Sequence, residues 1–154
     1  MRSAAGADKC STGDVAAKMQ PFEWSAECSV DIPELDSQHR HLLELLSELV
    51  KCTPSAESGR AAAAFEEMNR YAERHLQREE LVLRVRGYPS YPEHKAEHDA
   101  YRQKLASLQV HSDRRDIGIR LVNFLTEWWR FHILTSDQQY ARFFRSRPTN
   151  GNAR

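Results

Sequence analysis

Apolar residues recur along most of the chain at intervals of three and four, the period of an α-helix with one buried face. Leu35, Leu42, Leu46 and Leu49 mark a first helical segment that Thr53-Pro54 closes. A second starts near Gly59 and runs to Val85, with Ala61, Phe65, Met68, Ala72 and Val82 on one stripe and Gly87 as its C′ residue. A third opens at Ser90-Tyr91-Pro92, where proline suits a first helical turn, and carries Tyr101, Leu105 and Leu108 on one face. The fourth follows Ser112-Asp113 and presents Ile117, Leu121, Leu125 and Trp128 inward. The connections TPSAES, GYPSYP and VHSD are short, which favours antiparallel neighbours. The economical fold is all-α, an antiparallel up-down-up-down four-helix bundle. No strand-like alternation, glycine-rich phosphate loop or internal repeat competes with it.

A chain of 154 residues fits one domain with a real core. Residues 1–20 are small and polar and read as a disordered leader, 21–147 as the domain, and 148–154 as a flexible tail. Lysine plus arginine balances aspartate plus glutamate at 22 each, which gives no electrostatic footprint for nucleic acid or an anionic membrane. No secretory signal and no apolar run of about 18 residues is seen, so a cytoplasmic protein is expected. Cys10, Cys28 and Cys52 form no CxxC pair and read as reduced thiols.

The apolar stripes also carry histidine. Continued in steps of three or four, they give Leu35, His39 and Leu42 on the first helix, and Ala72, His75, Glu79 and Val82 on the second. The third gives His94, His98 and Tyr101, and the fourth Leu125, Trp128 and His132. One inward imidazole is usually a core residue hydrogen-bonded to a carbonyl. Five that converge are different: left unpaired they would each cost about 1–3 kcal/mol, against a total stability of about 5–15 kcal/mol. His41, two residues from His39, faces away from the core, and His111 falls in a loop; both read as surface residues.

Two carboxylates belong with them. Glu79 follows His75 by four residues on the same face, whereas Glu80 is turned about 100° away and reads as solvated. Asp137 follows His132 by five, a spacing that a regular α-helix places about 140° apart. Both can face the core only if the helix widens or breaks, which predicts a π-type turn or a helix end near Leu134 to Ser136.

The segment HKAEH at 94–98 fits the H-x-x-E-H pattern of inverted zinc peptidases, with His94 and His98 as ligands and Glu97 as base. That pattern is short and leaves His39, His75, Glu79, His132 and Asp137 without a role, since catalytic zinc needs only three protein ligands. Counting ligands favours two metals, because two six-coordinate ions present about 12 positions. Five imidazole nitrogens, two carboxylates bridging through both oxygens and one oxo or hydroxo bridge fill all but one. The open position suits a small diatomic molecule, and imidazole with carboxylate suits iron. Few anionic ligands favour the ferrous state and reversible binding over oxygenase chemistry.

The order His, HxxxE, HxxxH and HxxxxD is carried by Trp24 and by DSQHRHLLELL, HLQREE, GYPSYPEHKAEH and FLTEWWRFHILTSDQQY. Over about residues 22–145 this resembles the hemerythrin family, in particular its single-domain bacteriohemerythrins. The resemblance implies two iron ions, oxo- or hydroxo-bridged, that bind dioxygen reversibly in a carrier, store or sensor rather than an enzyme. It implies His94, His98 and His132 on the filled iron, His39 and His75 on the open one, and Glu79 and Asp137 as bridges. It implies further that each ferrous ion gives one electron and the bridging hydroxide its proton. The chain departs from the family at Leu76 and Leu83, where phenylalanine and methionine are usual, and at Asp31, where glycine is common. Trp24 and Trp128 are candidates to line the oxygen pocket. The alternatives are a di-iron redox enzyme acting on peroxide or nitric oxide, and a regulatory module that signals through a partner protein.

Overall fold

The computed structural model describes residues 23–52, 58–110 and 114–147. A 3-10 turn (Ala26–Cys28) precedes α1 (Pro33–Cys52), α2 (Ser58–Val85), α3 (Tyr91–Val110) and α4 (Arg114–Phe131). A π-helical turn (His132–Ser136) then leads directly into α5 (Asp137–Ser146), so that α4, the turn and α5 form one rod. The α1 helix packs on α2, α2 on α3, α3 on α4 and α4 on α1, which closes the square of the expected four-helix bundle. The expected leader and tail, Thr53-Pro54, His111 and Ser112-Asp113 lie outside the described residues, as do the side chains of Cys52, Ala61 and Ile117. None of the described helices is long and apolar enough to cross a membrane.

The helix ends explain how the chain enters and leaves the bundle. Pro33 occupies the first position of α1, where its missing N–H costs nothing, and the Ile32 carbonyl accepts the Asp36 N–H at 2.9 Å. The Asp36 carboxylate reaches back to the Val30 N–H at 2.8 Å and the Ser29 hydroxyl at 2.7 Å, which ties the incoming segment down. Between them Asp31 adopts a φ of 56°, the left-handed region. That conformation is the physical reason a glycine suits this position; aspartate tolerates it better than most residues, and here its carboxylate also accepts from Arg145. At the end of α2, Gly87 has a φ of 67°. The Tyr88 N–H bonds the Leu83 carbonyl at 2.9 Å and the Gly87 N–H bonds the Arg84 carbonyl at 3.2 Å, a Schellman arrangement that confirms Gly87 as C′.

Buried apolar side chains separate into two clusters. The larger gathers Leu42, Leu46, Met68, Ala72, Leu76, Tyr101, Leu105, Leu121, Leu125, Trp129 and Ile133 with their neighbours. The smaller gathers Val30, Leu35, Leu83, Tyr88, Tyr140 and Ala141. On every rod the predicted histidines fall between residues of the two clusters, or at the border of one, so a polar layer crosses the bundle. Trp128 is only partly buried, and it is Trp129 that is fully enclosed. Both indoles border the Tyr101 ring of α3, Trp128 at 4.3 Å and Trp129 at 5.7 Å, and Trp129 lies also 5.7 Å from the His75 ring of α2. The buried face of α4 is thus wider than one residue stripe.

Substitution of Gly87 by alanine tests the turn. A Cβ there would meet nothing within 4 Å, so the penalty is purely conformational. Urea unfolding of Gly87→Ala is expected to show a loss of about 1–2 kcal/mol, the cost of a left-handed L-residue.

Candidate metal centre

All seven sequence-predicted side chains converge in the polar layer. His39, Glu79, His98 and Asp137 have no solvent exposure, His75 and His132 are 1 % exposed and His94 is 4 % exposed. Each rod delivers its share through the spacing read in the sequence: α1 gives His39, α2 gives His75 and Glu79, α3 gives His94 and His98, and the fourth rod gives His132 and Asp137. The five-residue step on that last rod is accommodated as the spacing required, since the π turn begins at His132 and the Asp137 N–H bonds the His132 carbonyl. Gln138 covers a carbonyl at the distortion, donating to Ile133 at 3.4 Å and also to Ser29 at 3.2 Å.

The ligating atoms form two overlapping groups. One holds Glu79, His94, His98 and His132, the other His39, His75 and Glu79; in each, the candidate ligand atoms lie within 4.8 Å of one another. Glu79 belongs to both. Asp137 spans them too: its Oδ2 lies 3.3 Å from His39 Nε2, and its Oδ1 lies 3.1 Å from His132 Nε2 and 3.6 Å from His94 Nε2. The Glu79 Oε2 atom lies 3.1 Å from His98 Nε2 and 3.3 Å from His94 Nε2.

This donor set fits a metal pair. The Nε2 atoms of His98 and His132 are 3.0 Å apart, an approach that aims two ring nitrogens at one point. The Nε2 atoms of His39 and His75 and both oxygens of Asp137 are buried and have no hydrogen-bond partner. Buried polar atoms left so are costly, and cations placed among them would satisfy all of them together. A lone zinc on His94 and His98 would leave the second group unsatisfied.

Partners behind the ligands were less visible in the sequence. His75 Nδ1 meets Gln38 Oε1 at 2.9 Å, and His98 Nδ1 meets Glu80 Oε1 at 2.9 Å. Glu80 is therefore not the solvated residue its neighbouring position implied. Its side chain is 15 % exposed and is bonded also by Arg102 at 3.0 Å. The 100° turn away from Glu79 aims it sideways at α3, where the outward nitrogen of His98 needs an acceptor. Glu97, considered above only as the base of a zinc site, faces His132 Nδ1 at 3.4 Å and accepts the Ser136 hydroxyl at 2.6 Å. The Tyr140 hydroxyl donates to Glu79 Oε1 at 2.6 Å. Of the two tryptophans proposed for the pocket, Trp128 stacks on His132 at 4.3 Å. Trp24 instead packs at the edge of the larger cluster with the Arg40 guanidinium 4.5 Å above it, and Trp129 takes the place beside His75. His41 is 45 % exposed and rests against Tyr71.

Electrostatics set His75 and His132 apart. Burial, reinforced by the facing His39, pushes His75 well below the ordinary imidazole value. Burial lowers His132 as well, but Asp137, Glu79 and Glu97 outweigh it and raise the ring to about 10. The facing His132 ring, with the Ser136 hydroxyl, holds Glu97 down at about 2 against the opposing effect of burial. Imidazole holds a metal ion only through an unprotonated nitrogen, so metal affinity in the layer falls as pH falls.

Fold and site together define a helical-bundle metalloprotein with an imidazole-rich centre built for two ions. A sequence profile of the hemerythrin HHE cation binding domain matches residues 30–144. A bacteriohemerythrin of Stenotrophomonas maltophilia is 28 % identical over 119 residues, 77 % of this chain and 78 % of that protein. One of Clostridium acetobutylicum is 29 % identical over 126 residues, 77 % of this chain and 98 % of that protein. A hemerythrin-like protein of Naegleria gruberi is 27 % identical over 120 residues, 78 % of this chain and 91 % of that protein. The crystal structure of a leucine-to-phenylalanine mutant protein superposes with a TM-score of 0.64 at 23 % identity, covering 79 % of this chain and 95 % of that one, which supports the fold. The chain belongs to the hemerythrin family, whose domain holds a non-haem di-iron centre that binds oxygen.

Glu97 gives a pH-dependent test. Its folded-state value of about 2 lies below the ordinary 4.5, so its contribution to stability is present above 4.5 and is lost as pH falls through about 2. In urea unfolding of the metal-free protein across that range, Glu97→Gln is expected to give a shallower acid limb than the parent chain.

Proposed function

We propose that this protein binds and releases dioxygen as a carrier or store, with His94, His98 and His132 on one iron, His39 and His75 on the other, and Glu79 and Asp137 between them. The observation that carries the reading is the division of Asp137, whose two oxygens face different histidine groups at 3.3 Å and 3.1 Å. A carboxylate so placed would hold two ions at once, and the uneven split of imidazoles, three against two, would leave room at the second ion for a small ligand. When bound, the di-iron centre supplies the electrons that capture of dioxygen requires.

The chain does the rest. The buried faces of four rods fix the donors before an ion arrives, which limits reorganisation. The Tyr140 hydroxyl holds one oxygen of Glu79 and so sets the plane of that carboxylate. The apolar clusters on either side exclude water, with Leu76 and Trp129 in the one and Leu83 and Tyr140 in the other. Leucine at the two departures from the family keeps that lining apolar while changing its shape, which tunes affinity and access without touching the donors. A cytoplasmic location and a protein partner for delivery or signalling belong to the same proposal.

Anaerobic loading with ferrous iron is expected to give two irons per chain, followed by a visible charge-transfer band that returns through cycles of oxygen and vacuum. His75→Ala should abolish the band, and His41→Ala should leave it intact. Rapid irreversible bleaching would transfer the assignment to a redox enzyme acting on peroxide or nitric oxide, and equal effects of the two substitutions would overturn the ligand set.

A further inference from the structure

The outer nitrogens of the candidate ligands are backed unequally. In the three-histidine group, His98 Nδ1 meets the Glu80 carboxylate at 2.9 Å, and His132 Nδ1 faces the Glu97 carboxylate at 3.4 Å. Both carboxylates are themselves fixed, Glu80 by Arg102 at 3.0 Å and Glu97 by Ser136 at 2.6 Å. In the two-histidine group, His75 Nδ1 meets the neutral amide oxygen of Gln38 at 2.9 Å. His39 Nδ1 and, despite the facing Glu97, His132 Nδ1 make no hydrogen bond. One hydrogen-bonded carboxylate and one nearby carboxylate thus stand behind one half of the layer, and a neutral acceptor behind the other.

We propose that Gln38, Glu80 and Glu97 are positioning residues, and that the neutral amide of Gln38 makes the two-histidine half the weaker electron donor of the pair. This rests on the ligand assignment proposed above. An acceptor on Nδ1 keeps the ring proton there and leaves the Nε2 lone pair facing inward. Carboxylate and amide oxygens both do this. Only the carboxylate also pushes charge into the ring, which strengthens the donor and favours a more highly charged metal. Glu80, and the charge of Glu97 3.4 Å from His132, would therefore favour the oxidised state of an ion held by the three-histidine group, whereas Gln38 fixes His75 without adding that bias to the other half. The amide has to present its oxygen for this to work. Turned the other way, its NH₂ would place the ring proton on Nε2 and block the inward nitrogen.

Gln38→Glu and Gln38→Leu in the full chain separate geometry from charge. Nitrogen-15 NMR of the metal-free protein reads the tautomer directly. The parent chain and Gln38→Glu are expected to carry the His75 proton on Nδ1, and Gln38→Leu to lose that preference. Ferrous titration followed by metal analysis should then show the more weakly held ion bound about 10–100-fold less tightly in Gln38→Leu, the usual effect of removing such a partner, and no less tightly in Gln38→Glu. Spectroelectrochemistry should show a lower midpoint potential in Gln38→Glu than in the parent. The same tautomer in all three chains would overturn the positioning role, and an unmoved potential in Gln38→Glu would overturn the electronic one. If the parent chain fails to take up two irons, the ligand assignment falls while the tautomer comparison still decides the role of Gln38; if the parent loads and cycles but the variants match it, only this inference falls.

Discussion

Seven ionisable side chains withdrawn from water across the middle of a helical bundle set the terms for everything around them. Desolvation disfavours each charge, and an imidazole or carboxylate without a partner is among the costlier things to bury. The layer meets this constraint in two ways. The outward nitrogens of His75 and His98 are hydrogen-bonded to Gln38 and Glu80, that of His132 faces Glu97, and the inward atoms crowd to about 3 Å of one another, a geometry that a shared cation satisfies. The donors are held apart from solvent by apolar packing on both sides, so the metal chemistry and the hydrophobic core are one piece of architecture.

How much of this was readable beforehand depended on whether a feature obeys a period. Leu35, His39 and Leu42 lie on one α-helical stripe, and so do His75 and Glu79, which is why helices, pairing order and ligands could be read together. The π turn was legible for the opposite reason: the five-residue interval from His132 to Asp137 broke the period, and a residue needed in the core had to be brought there by a widened helix. Gly87 announced itself through its position just past a periodic run, and its φ of 67° follows. In α4 the period assigned the inward place to Trp128 and overlooked Trp129, because a wide buried face admits both.

Partners that come from another helix left no such trace. Glu80 sits 18 residues from His98, and Ser136 sits 39 from Glu97. Their meeting depends on the relative rotation of whole helices, which no periodicity within a segment encodes. Glu80 looked solvated because a 100° step from the core face points either to water or to the neighbouring helix, and only the assembled bundle decides. The one local signal was that a buried ligating imidazole has a second nitrogen in need of an acceptor, which turns polar residues beside each ligand into suspects. Asp31 shows the same limit in the backbone: its departure from glycine was visible, but its left-handed conformation and its bond to Arg145 were not.

The widened turn on the fourth rod has an effect that reaches past its own five residues. Everything downstream of it is set back about the axis by about 100°, the angle of one residue, from where a regular helix would leave it. Asp137 and Tyr140 both lie on that rotated stretch, one spanning the two histidine groups and the other gripping Glu79, the second carboxylate. The two carboxylates are consequently geared to a single backbone irregularity. A change that allowed the rod to relax would swing one away and release the hold on the other in the same movement.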